Sequence, residues 1–133
     1  MIDIESAVYT AVATKLRQEF PGIFVTGEES ETPPRFPCAS FVEDDNSSYT
    51  ASNDFQKADH HVNVMYTANA YSDLGDGKKA QARKIINAID EVMLKLGFVR
   101  ILNSPTPNLN RTIARRTARW RGVVSEEYRI YQS

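Results

Sequence analysis

The chain has 133 residues, 41% of them hydrophobic and 25% charged, which is the balance of a soluble globular domain. That argues against a disordered tail, a collagen-like fibre or a membrane protein, and a net charge of −1 argues against a uniformly basic nucleic-acid coat. The charge is unevenly placed: residues 1–66 carry 4 Lys/Arg against 11 Asp/Glu (net −7), and residues 67–133 carry 12 against 6 (net +6).

The first predicted helix spans about 4–20. Ile4, Ala7, Val8, Ala11, Val12, Leu16 and Phe20 recur at three- and four-residue spacing and form one apolar stripe. Asp3 is its candidate N-cap, and Pro21-Gly22 stops it. Met1 to Glu5 is acidic with no long apolar core behind it, so a signal peptide is not expected. Residues 23–26 form a short β-prone run. Residues 28–34 follow as an acidic, Pro-containing loop holding Glu28, Glu29 and Glu31.

Phe36 to Val42 reads as a strand whose prolines suit an edge or an entry position. Its Cys38 is the only cysteine, so no intrachain disulfide forms, and an apolar setting makes it a small buried hydrophobe. A cytoplasmic, reducing setting follows for the place where the chain is made. Glu43 to Asn53 is rich in Asp, Asn and Ser and reads as a turn or an extended hairpin tip. Its Glu43, Asp44 and Asp45 lack the spacing and glycine of a calcium loop, so they read as a solvated or partner-facing acidic segment.

His60 to Tyr71 alternates. Val62, Val64, Tyr66, Ala68 and Ala70 share one face; His61, Asn63, Met65, Thr67 and Asn69 share the other. The adjacent His60 and His61 point to opposite faces of a regular strand and cannot chelate one metal together. No metal, cofactor or catalytic residue is expected, and the chain does not read as an enzyme. The second helix is predicted from about Gly77 to Leu96, with Asp76 as N-cap and Gly97 just beyond its end. Lys78 and Lys79 in its first turn oppose the helix dipole, which points to a role outside the helix. The glycines and lysines of 73–79 lack the full phosphate-loop spacing.

A strand over 98–102, a Pro-containing loop over 103–108, a strand over 113–124 and a last strand over 128–131 complete the chain. The order is α-β-β-β-α-β-β-β in a single domain, 1–133. It implies an α+β fold with two helices on one face of a mainly antiparallel sheet. The strongest local signal is the segment 111–121. Read as a strand, it places Arg115, Arg119 and Arg121 on one face with Thr117, and Ala118 and Trp120 on the other, with Arg116 as the exception. Such a row faces water, phosphates or another chain's carboxylates.

Over nearly its full length the pattern resembles the tail terminator, or tail completion, proteins of long-tailed bacteriophages. The carrying features are the helix ending at Phe20-Pro21-Gly22, the strand around Phe36-Pro37 and the long strand 62–71. To these are added the helix ending in Leu96-Gly97-Phe98, the Pro loop, and the Arg-Trp-Arg-Gly-Val-Val strand Arg119 to Val124. Trp120 stands where Tyr is expected in that strand. The resemblance implies a non-enzymatic ring, typically a hexamer of identical chains, that caps the tail tube and joins it to the head connector. DNA passes through its channel without specific binding, and the protein belongs to the virion neck after assembly in the host cytoplasm. No membrane is involved.

The expected interface set is Arg115, Arg119 and Arg121 against Glu28, Glu29, Glu43, Asp44 and Asp45, an acidic end meeting a basic end of the next copy. The alternative is a small nucleic-acid-binding domain that uses the arginine-rich strand.

Overall fold

A computed structural model describes residues 5–27, 34–48, 61–106, 112–125 and 130–131. The element order is α1 (Glu5–Glu19), β1 (Phe24–Thr26), β2 (Cys38–Ser48), β3 (His61–Ser72), α2 (Lys78–Leu96), β4 (Val99–Thr106), β5 (Ala114–Ser125) and β6 (Ile130–Tyr131). This is the α+β order read from the sequence. The strands form one sheet ordered β1-β2-β3-β5-β4, with β6 paired to β5. Among the described residues only β1 and β2 run parallel, and every other pair is antiparallel.

In α1, Val8, Val12 and Leu16 are buried at the spacing that predicted the helix, while Ala7 lies exposed and the buried stripe is narrower than expected. Gly22 takes a positive φ of 85° in the turn that follows, where a side chain would be strained. The Ile23 N–H then returns to the Phe20 carbonyl at 3.0 Å. Tyr9 donates from its hydroxyl to the Val25 carbonyl and so ties the helix to β1. The proposed Asp3 cap lies outside the described residues.

α2 packs on β3, β5 and α1. It buries Ala82, Ile85, Ile86, Ala88, Ile89 and Met93, and Val92 and Leu96 pack at the rim of the same core. Its N-cap is Gly77 in the left-handed region rather than Asp76, and no side chain caps it. Gly97, also left-handed at φ 100°, ends it as expected, with the Gly97 and Phe98 N–H groups bonded to the carbonyls of Leu94 and Met93. No described helix is long and apolar enough to cross a membrane.

β3 is central. Val64, Tyr66, Ala68 and Ala70 face the helices, and their partners across β5, Ala118 and Trp120, share that core. Phe41 of β2 stacks on Tyr66 at 4.9 Å between ring centroids, and Phe98 meets Tyr66 edge-on at 5.5 Å.

Two strands run further than the sequence suggests. β2 takes in residues 43–48, predicted as turn or hairpin tip, because the long β3 offers a ladder to pair with, and a bulge between Glu43 and Asp45 absorbs one residue. β4 continues through Pro105 to Thr106, over residues predicted as loop. It lies at the end of the described sheet, where a proline is tolerated, and it carries its own irregularity between Arg100 and Leu102. Pro37 precedes β2 at an entry position, since β2 lies between β1 and β3.

Candidate functional site

Trp120 fixes the arginine strand from beneath. Its ring is fully buried, and its Nε1–H donates to Asp90 Oδ1 of α2 at 2.9 Å. The other carboxylate oxygen of Asp90 accepts from Arg100 at 3.0 Å, so one side chain of α2 ties β4 and β5 to the helix. Neither partner of Asp90 was legible in sequence, because both contacts join different elements, 30 and 10 positions apart in the chain.

Alternation then sends Arg115, Thr117, Arg119 and Arg121 to the face away from the helices, as predicted. Arg119 and Arg121 are exposed. Thr67 lies directly across from Arg119 on β3 and Leu102 across from it on β4. Leu102 and its neighbour Ile101 are exposed, at 40% and 45%. Among the described residues no carboxylate pairs with Arg119.

Arg115 is different. Its Nε donates to Asn69 Oδ1 at 3.0 Å and its guanidinium lies 5.5 Å over the Tyr71 ring. Thr117 donates to the same amide oxygen at 2.7 Å. At this end of the outer face Cys38, Ser40, Asn69 and Tyr71 are all buried. Arg115 is thus built into the sheet, and the row divides into one structural arginine and two surface ones.

The acidic members are placed in part. Glu28 and Glu29 lie outside the described residues, as does His60. Glu43 accepts from the Tyr66 hydroxyl at 3.3 Å and so serves the core edge. Asp44 is exposed and accepts a hydrogen bond from Thr67. The Asp45 backbone pairs with Met65, which pairs in turn with Arg121. Two strand spacings, about 10 Å, therefore separate the acidic segment from Arg121 within one sheet. The acidic and basic segments are not opposite ends of the molecule: Asp44 and Arg119 flank Thr67 on one face.

Cys38 is fully buried, as expected, and burial pushes its thiol up from 9.0 to about 11. The raised folded-state value means the neutral thiol contributes stability below pH 9, lost as pH rises towards 11. Relative to Cys38→Ala, the native chain should lose about 2–3 kcal/mol across that window, measured by urea unfolding at stepped pH. A constant difference between the two proteins would show that the thiol ionises as freely folded as unfolded.

No family model matches the chain, and no curated protein matches it either.

Proposed function

We propose that this chain is a non-enzymatic assembly subunit of the neck of a long-tailed bacteriophage, a tail terminator whose copies form a ring on the tail tube and join it to the head connector. The observation that carries this reading is the half-covered sheet. Both helices pack on one face, and the other face presents exposed Arg119 and Arg121 beside exposed Leu102. Arginine beside aliphatic surface is the composition of a protein interface. The acidic Asp44 lies on that face, two strands from Arg119. A ring uses two different patches of each subunit, and the separate acidic Asp44 and basic Arg119 and Arg121 positions supply complementary charges for such contacts.

Light scattering and native mass spectrometry across a concentration series, with and without purified tail tubes, test this. The expected species is a ring of identical chains, about six by the sequence resemblance. Arg119→Glu with Arg121→Glu should abolish it and change unfolding stability by no more than about 0.5 kcal/mol, since both side chains lie at the surface. A double variant that assembles normally removes the arginines from the interface. A native protein that stays monomeric with tail tubes present, yet binds DNA with a steep salt dependence, favours the nucleic-acid reading instead.

A further inference from the structure

On the helix side of the sheet, Lys79, Ala82 and Arg83 of α2 meet Pro105 of β4 and Ala114, Arg115 and Arg116 of β5 around a cleft of about 230 Å³. Three positive side chains of this lining lie on the helix side. Arg115 borders the cleft, but its guanidinium is engaged with Asn69 and Tyr71 on the other face.

Arg116 is half-buried, and its Nε donates to Asn103 Oδ1 at 2.6 Å. A neutral amide holds the guanidinium in place without cancelling its charge. Lys79 and Arg83, one helical turn apart, are exposed along the same wall. Among the described residues none of the lining is acidic, and no carboxylate pairs with Lys79, Arg83 or Arg116.

The start of α2 adds to this field. Its first turn has no acidic residue and its N-cap contributes no side-chain bond, although Asp76 stands just before the cap. Lys79 sits in that turn, unfavourably for the helix alone. Among the described residues the three cations of the lining have no carboxylate partner, so an anion entering between them gains from all three. The volume falls below the roughly 300–1,000 Å³ of pockets for drug-sized ligands, which suits a small group rather than a whole nucleotide.

We propose that this cleft binds a phosphate group, either free phosphate or one phosphate of a DNA backbone, with Arg116 as the preset ligand and Lys79 and Arg83 closing over it. A dianion or a backbone phosphate matches fork-shaped guanidinium donors and several positive charges better than one carboxylate does. The site does not depend on the ring reading, because it uses none of the exposed arginines of the outer face.

Inorganic phosphate is titrated into the full chain at fixed ionic strength and followed by amide NMR shifts, with chloride as the matched control. Saturable shifts centred on residues 79–83 and 114–116 are expected, weakened about tenfold in Lys79→Gln/Arg83→Gln and unchanged in Lys84→Gln/Lys95→Gln. A short DNA duplex is then added. Displacement of phosphate by the duplex identifies the DNA backbone as the source, and undisturbed phosphate identifies a free anion; either supports the site. A response that does not saturate, or that is equal in the cleft variant and the native chain, overturns it. So does poly-glutamate that binds the cleft more tightly than phosphate, which would make it a receptor for an acidic protein.

Discussion

Trp120→Ala is expected to destabilise the fold by about 3–5 kcal/mol, the range for deleting a fully buried aromatic side chain. Against a total of about 5–15 kcal/mol for a natural domain, that leaves a marginal protein or an unfolded one. The size follows from position. The indole fills the core beneath the arginine strand and lies 6.4 Å from the Phe41 ring. Its N–H also holds the buried side of Asp90. Trp120→Phe keeps much of the packing and removes only the donor, at about 1–2 kcal/mol. Asp90→Ala strips a partner from both Trp120 and Arg100 and should cost about 2–3 kcal/mol. Chemical denaturation of the two single variants and of Trp120→Phe/Asp90→Ala closes a double-mutant cycle. A coupling energy of at least about 0.5 kcal/mol is expected, and strict additivity would show that the indole–carboxylate bond contributes nothing net.

Tyr66→Ala should be about as damaging, again about 3–5 kcal/mol. Tyr66 is fully buried at the middle of the central strand, between the face of Phe41 and the edge of Phe98. It joins the β2 side of the core to the residue that follows α2. Truncation removes two ring contacts, worth about 0.5–1.5 kcal/mol each beyond area burial, and opens a cavity between three elements. Tyr66→Phe isolates the hydroxyl and its bond to Glu43, and should cost about 1 kcal/mol. Thermal and urea unfolding of both variants measures the split. If Tyr66→Phe cost as much as Tyr66→Ala, the polar contact to β2 would dominate and the aromatic packing would be secondary.

The elements legible in sequence were those whose own periodicity declares them. The stripes of α1 and α2 and the alternation of β3 depend only on residues near one another, and the structure follows them. The sheet extensions were not legible. Residues 43–48 and 103–106 have turn-like composition, and they become strand because long neighbours stand ready to pair with them.

The same contrast holds for the candidate sites. Alternation correctly sent Arg115, Arg119 and Arg121 to one face. It could not tell that Asn69, 46 positions away in the chain from Arg115, makes one of them structural. Nor could it show that Lys79 and Arg83 border the same cleft as Arg116, because that depends on how α2 packs against β5. The unfavourable lysines at the start of α2 were the one local feature of the sequence that drew attention to this region.

The outer edge of the sheet has a consequence for growth. An open strand of eight residues with exposed Ile101 and Leu102 would ordinarily invite another strand to add, and then another, into a fibre. Here the ladder is interrupted beside Ile101, and Pro105 withholds an N–H near the far end. The first break leaves Ile101 out of the β4–β5 register, and together the two irregularities make the edge a poorer template for a newcomer. The edge is therefore a poor template for unlimited strand addition.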